Sequence, residues 1–172
     1  MRDDVSAVVY DLDGTLVDLL VDWDVVAEEV AAVLDEGGVD ASDADLWSML
    51  DLADEAGLRQ EVEAVIGDHE RDGARNSTRL RHADELLDLT LPVGVCSLNC
   101  EAACRVGLET HDLASSVDAV VGRDSVATRK PDPEPLLATL DALGVDGDAV
   151  FVGDSRRDEL AAERAGVAFE WV

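Results

Sequence analysis

Apolar positions along this chain switch period, and the switches mark its elements. Val5 to Tyr10 is a short, largely apolar run closed by Asp11 and a turn signal at Gly14, the signature of a strand buried in a sheet. A helical block follows. Trp23, Val26, Val30, Val33 and Leu34 recur at helical spacing, with Asp22 placed to cap the helix and Gly37-Gly38 to stop it. Ser42-Asp43-Ala44-Asp45 resembles a capping box that opens a second helix with Leu46, Met49, Leu50 and Ala53 on one face. Leu58, Val62, Val65 and Ile66 predict a third helix. No strand pattern appears from residue 20 to residue 90. Strand patterns then return at 93–96, 119–121, 149–152 and, weakly, 167–172, separated by helical patterns at 99–108, 134–143 and 156–165. Strands alternating with helices imply parallel pairing, hence an α/β three-layer sandwich with a Rossmann-like sheet. The expected division is an α/β core of residues 1–16 and 83–172, with 17–82 as a helical insert after the first strand.

In such sheets ligands bind beyond the carboxyl ends of the strands, and four polar clusters fall there. Asp11, Asp13, Gly14 and Thr15 follow the first strand; Ser97 and Asn99 follow Val93-Gly94-Val95-Cys96. Lys130 stands before the helix that leads toward the fourth strand, and Gly153-Asp154-Ser155-Arg156-Arg157-Asp158 follows that strand. One strand-end acid is often only a turn or a helix cap. Four polar clusters in register on one sheet point to a site.

Charge changes the picture. The 172 residues carry 40 acidic and 13 basic side chains, a net charge of −27. Such a field repels nucleic acid and anionic membranes. The hydrophobic share of 47% argues against disorder, so the composition reads as adaptation to a salty cytoplasm, where molar salt shrinks the Debye length to about 3 Å. A halophilic source is the expectation. Lys130 is the only lysine, against twelve arginines, and is the natural counter-charge for Asp11 and Asp13. No run reaches the roughly 18 apolar residues of a membrane helix. The start, Met1-Arg2-Asp3-Asp4, lacks a signal-peptide pattern, so a cytoplasmic protein is expected. Cys96, Cys100 and Cys104 read as buried structural thiols, with only His111 nearby in sequence as a further metal ligand. The most basic window holds Arg71, Arg75, Arg79 and Arg81 between His69 and His82. It reads as a solvated helix and linker whose arginines pair with local acids; the sharper alternative is recognition of an anionic substrate.

With these residues in view, the chain resembles the haloacid dehalogenase superfamily of phosphohydrolases, in its phosphoglycolate phosphatase-like branch. Asp11-Leu12-Asp13-Gly14-Thr15-Leu16-Val17 is similar to the first motif, Ser97-Leu98-Asn99 to the second, Lys130-Pro131-Asp132-Pro133 to the third and Gly153 through Asp158 to the fourth. The resemblance covers nearly the whole chain. It implies that the insert is a small helical cap, shorter than usual, and that the reaction is hydrolysis of a small phosphorylated metabolite through an aspartyl-phosphate. Asp11 is then the nucleophile and Asp13 the general acid and base, with Thr15 orienting it. Ser97 and Lys130 assist catalysis and bind phosphate, together with Gly14, Thr15 and Asn99. Mg²⁺ is held by Asp11, the backbone carbonyl of Asp13 and Asp154, and Asp158 accepts from a metal-bound water or holds Lys130. Dehalogenases lack an acid at the place of Asp13, and phosphonatases need a lysine in the cap, where this chain has none. A sugar phosphomutase, a receiver-like phosphoacceptor and a catalytically silent phosphate-binding protein are the alternatives. Oligomeric state is not legible.

Overall fold

The computed structural model describes residues 4–146 and 148–172; Met1, Arg2 and Asp3, on which the leader reading partly rests, lie outside the described residues. The elements run β1 (Ala7–Tyr10), β2 (Val17–Asp18), α1 (Trp23–Glu36), α2 (Leu46–Ala56), α3 (Arg59–Arg75), β3 (Thr78–Arg79), α4 (Arg81–Leu87), β4 (Val93–Cys96), α5 (Glu101–Thr110), β5 (Ala119–Val121), α6 (Glu134–Leu143), β6 (Ala149–Gly153), α7 (Arg156–Ala165) and β7 (Ala168–Trp171). A five-stranded sheet has the order β5-β4-β1-β6-β7, and every pairing in it is parallel.

The unbroken apolar character of β1 follows from its central place. Val8 and Tyr10 pack on one face with Val93, Val95, Val150 and Val152, under α4 and α5. Ala7 and Val9 pack on the other with Phe151, Leu136, Leu140 and Ala162, under α6 and α7. A strand covered on both faces has no solvent side to alternate toward. Register brings the strand ends together: Tyr10 stands between Val95 of β4 and Val152 of β6, so the residues just beyond these positions share one rim.

The helical block forms its own apolar cluster, in which Val26, Val30 and Leu34 of α1 meet Met49 and Leu50 of α2 and Val62 and Ile66 of α3. Asp22 caps α1 by accepting from the amides of Asp24 and Val25. The expected capping box at Ser42 is not formed. Asp45 caps α2 from the amide of Ser48, while Ser42 bonds Asp40, so the helix opens at Leu46. A strand that no periodicity announced lies in the block: β3 pairs antiparallel with β2, Val17 opposite Arg79 and Asp18 opposite Thr78. This ribbon ties the two chain crossings between insert and sheet. The three cysteines are unpaired and buried. No helix among the described residues is long and apolar enough to cross a membrane.

With a net charge of −27, surface carboxylates repel one another at low ionic strength. Melting temperature should therefore rise from low salt to molar KCl; a flat or falling curve in calorimetry would show that surface repulsion is not a major destabilising term.

Candidate active site

The β1 hydrogen-bond ladder extends one residue past the strand, with the Asp11 amide donating to Val152 O at 2.9 Å. The Asp11 carboxylate is nearly buried. Its Oδ1 accepts from the Leu12 amide at 2.8 Å and from Lys130 Nζ at 3.0 Å. Lys130 reaches inward from the loop between β5 and α6 and also donates to Asp158 Oδ1 at 2.6 Å and to the Cys96 carbonyl at 3.0 Å. All three ammonium protons are used. Lys130 thus balances Asp11 and Asp158, rather than Asp11 and Asp13 as expected. Burial alone would discharge this ammonium, but the carboxylates of Asp11 and Asp158 hold its pKa above the ordinary lysine value. Burial in turn pushes the Asp11 carboxyl up, against the pull of Lys130.

Asp13 is half-buried, and its Oδ1 accepts from the Leu19 amide at 2.9 Å. Burial pushes its carboxyl up to about 6; the Leu19 amide opposes, and Asp18 and Asp154 add to the rise. That range suits a group that must both give and take a proton near neutrality. Thr15 does not orient it: its Oγ1 is buried without a hydrogen-bond partner. Nor do Gly14 and Thr15 offer amides to a phosphate, because Gly14 N donates to Val17 O and Thr15 N to Leu12 O. Gly14 has a different job. At φ +81°, its missing Cβ leaves room for Asp154, whose Oδ2 would lie 2.1 Å from a Cβ there.

Asp154 follows β6, and oxygens of Asp11, Asp154 and Asp158 lie within 4.8 Å of one another. Asp158 is committed, with Oδ1 on Lys130 and Oδ2 on the amide and hydroxyl of Ser155. The pair facing each other without a cation between them is Asp11 and Asp154. Burial and Asp158 raise the pKa of Asp154. Two carboxylates held so close are costly unless a cation joins them, and an oxygen-only donor set suits a hard divalent ion. The residues therefore fit Mg²⁺, with the Asp13 side chain outside the trio. Asp11, Asp13, Ser97, Asn99 and Asp154 line one cleft of about 220 Å³, together with Trp23, Trp47 and Arg157.

The comparisons with known proteins bear on this geometry. The family model for haloacid dehalogenase-like hydrolases matches residues 8–172. The chain belongs to the haloacid dehalogenase-like hydrolases. It is 34% identical over 185 aligned residues to a phosphoglycolate phosphatase of Rhodospirillum rubrum, covering 94% of this chain and 77% of the relative. It is 42% identical over 77 residues to a Cereibacter sphaeroides phosphoglycolate phosphatase, 45% of this chain and 35% of that one. A crystal structure from Lactobacillus plantarum superposes with a TM-score of 0.70 over 97% of this chain and 86% of its own, at 24% identity. That likeness speaks to the fold alone.

This haloacid dehalogenase-like hydrolase also holds a second buried charge cluster. Glu70 of α3 is fully buried. It accepts from both terminal nitrogens of Arg123 at 2.8 Å and from Asn99 Nδ2 at 2.9 Å. Arg123, in the loop after β5, also binds Glu63 Oε2 at 2.7 Å and the Leu98 carbonyl at 2.8 Å. Asn99 passes this order on, its Oδ1 accepting from Ser97 Oγ and its amide donating to the same oxygen, both at 3.1 Å. Asn99 thus fixes the Ser97 loop through its hydrogen bonds. Glu63, Glu70 and Arg123 were missed as functional residues. One signal was available: Val62, Ile66, Glu70 and Ala74 repeat at four-residue spacing, which places a charge on the buried stripe of α3. In the basic window, the solvated-helix reading expects Arg71, Arg75 and Arg79 to pair with local acids; Arg71 and Arg79 pair with Asp68 and Asp84, and the third pair is Arg81 with Glu85.

Lys130→Arg tests the cation site. A planar fork cannot reproduce three convergent bonds from one nitrogen in a closed space. Turnover should fall at least about a hundredfold, roughly 3 kcal/mol. Overpacking of about 1–3 kcal/mol should also lower the melting temperature by several degrees. Rates and melting like the parent's would place Lys130 outside the working site.

Proposed function

We propose that the protein is a Mg²⁺-dependent phosphatase that hydrolyses a small organic phosphate monoester through an aspartyl-phosphate, with residues 17–82 acting as a cap over the site. The reading rests on one arrangement. Both donors to Asp11 fall on Oδ1, which leaves Oδ2 as the attacking oxygen, opposite Asp154 and in the same cleft as Asp13 and Ser97. The phosphoglycolate phosphatases among its relatives support a small phosphorylated substrate.

Asp11 Oδ2 attacks phosphorus while the bond to the ester oxygen breaks, and Asp13 gives its proton to the departing alkoxide. Asp13 then takes a proton from the water that attacks the phosphorus. The bond to Asp11 breaks, inorganic phosphate leaves, and both carboxyls return to their starting states. The Asp13 carboxyl, near 6 and held by the Leu19 amide, stands at the right pKa for both transfers. Lys130 holds Asp11 in one orientation and offsets its charge. Ser97, once its hydroxyl turns from Asn99, donates to a phosphoryl oxygen. Mg²⁺, held by Asp11, Asp154 and the Asp13 carbonyl, would neutralise the phosphoryl charge and position it for in-line attack.

Asp11→Asn keeps the shape and removes the nucleophile. Turnover of an aryl phosphate should fall by several orders of magnitude with the fold intact by circular dichroism; retention of about a hundredth of parent activity would count against covalent catalysis at Asp11.

Activity should vanish in excess EDTA, return with Mg²⁺ and recover poorly with Ca²⁺, because Ca²⁺ prefers longer bonds and more ligands. Full turnover in a rigorously metal-free preparation would remove the metal from the mechanism.

A further inference from the structure

Two buried charges take no part in the steps above. Glu70 of α3 and Arg123, in the loop after β5, are both buried, and neither lines the cleft. Their bonds converge on a short segment that does, Ser97-Leu98-Asn99. Arg123 donates from its backbone amide to the Asn99 carbonyl and from Nη1 to the Leu98 carbonyl, both at 2.8 Å. Glu70 accepts from Asn99 Nδ2 at 2.9 Å and from the Cys100 amide at 3.3 Å. Arg123 in turn grips both oxygens of Glu70. Any influence of Glu70 on the reaction therefore passes through this segment.

We infer that Glu70, held in place by Arg123, is a positioning residue for phosphoryl transfer: it fixes the Asn99 side-chain amide and through it aims the Ser97 hydroxyl. This rests on the phosphatase reading above and extends the working site to a residue of the insert. Direction is the first support. A carboxylate only accepts, so the end of the Asn99 amide that faces Glu70 is the NH2 group, which turns Oδ1 toward Ser97. Ser97 Oγ is then held twice, donating to Oδ1 and accepting from the Asn99 backbone amide, both at 3.1 Å. When the hydroxyl proton turns to a phosphoryl oxygen, the backbone amide still holds the serine oxygen in place. Energetics is the second support. A buried ion pair is often no more stabilising than apolar side chains of similar volume, yet Glu70 occupies the buried stripe of α3 beside Ile66 and Ala74. Stability does not account for a charge there; a fixed direction for Asn99 does.

A double-mutant cycle with Ser97→Ala tests this, since residues that act through one another are not additive. With Mg²⁺ present, Ser97→Ala should lower kcat/KM for para-nitrophenyl phosphate roughly 10- to 100-fold, the size of a hydrogen bond to a charged group. Glu70→Gln leaves Glu63 on Arg123 but offers Asn99 both a donor and an acceptor, so its amide is free to flip. It should cost about tenfold in the parent and less than about twofold in Ser97→Ala. A second variant removes both charges together. Glu70→Leu with Arg123→Met should melt within a few degrees of the parent yet show the same loss, again only while Ser97 is present. Equal losses with and without the Ser97 hydroxyl, or no loss in the parent, overturn the inference, because a merely structural role is blind to that hydroxyl. If the charge variants fail to fold, Asn99→Ala, which leaves the pair whole, carries the cycle by the same criterion. Calorimetric Kd of inorganic phosphate reads the cycle without turnover. If the parent binds phosphate but hydrolyses no ester, the phosphatase reading fails and the phosphate cycle alone decides the role of Glu70; a parent that binds none overturns both.

Discussion

A lysine ammonium buried among two carboxylates and a carbonyl is the constraint on which the site depends. Lys130 lies at the junction of three segments, the end of β1 through Asp11, the end of β4 through the Cys96 carbonyl and the start of α7 through Asp158. Moving a charge this deep costs several kcal/mol unless partners replace the lost water. Here each proton has an acceptor, so the arrangement holds only if all three segments keep their places. Asp158 links this order to local structure, since its other oxygen closes the capping box of α7 with Ser155. Gly153 makes room for it: a Cβ there would lie 2.6 Å from Asp158 Oδ2. The helix cap, the buried lysine and the orientation of the Asp11 carboxylate are one connected network.

The Glu63–Glu70–Arg123 cluster repeats the device between insert and sheet. Burial would lower the pKa of Arg123, but Glu70 and Glu63 hold it well above the ordinary value. Removing one member of a buried pair leaves an uncompensated charge, at about 3–5 kcal/mol, so α3 cannot leave the Ser97 loop without exposing or stranding charge. α3 is thus tied, through Glu70, to the loop that carries Ser97 and Asn99. The rest of the insert, α1 and α2, brings Trp23 and Trp47 to line the cleft. A small insert can thus both anchor the Ser97 loop, through Glu70 on α3, and line the cleft, through Trp23 and Trp47.

Periodicity made the sheet and most helices legible because each buries an apolar stripe that only one geometry can bury. Strand Val93–Cys96 and helices Glu134–Leu143 and Arg156–Ala165 stand where the pattern put them. It failed where no stripe exists. Two-residue strands such as Val17–Asp18 have no period to read, and α4 spans seven residues, two turns whose buried side chains, His82, Ala83 and Leu86, are too few to stand out. At α2 the capping-box pattern put the cap at Ser42, whereas the side-chain hydrogen bond that opens the helix belongs to Asp45. Within the site, Asp11, Lys130 and Asp158 were readable because charge sat beside buried strands. Glu70 showed only as a charge on an apolar stripe; its partner Arg123 stands 53 residues away, and their pairing exists only once α3 lies across the β5 end.

An acidic protein that binds an anion must keep its positive charge local, and burial is how this fold does so. At molar salt the Debye length is about 3 Å, so repulsion from the acidic surface dies out close to the protein and a phosphate ester can approach. The same salt scarcely reaches Lys130, which is 3% exposed, because screening ions cannot enter where water does not. Interactions in that interior act through a low effective dielectric and keep their strength. Surface and site thus respond to salt in opposite senses: the surface charge is silenced, whereas the buried network that aims Asp11 is left intact. A compact ammonium satisfies three convergent acceptors in a closed space, where a broad planar guanidinium could not.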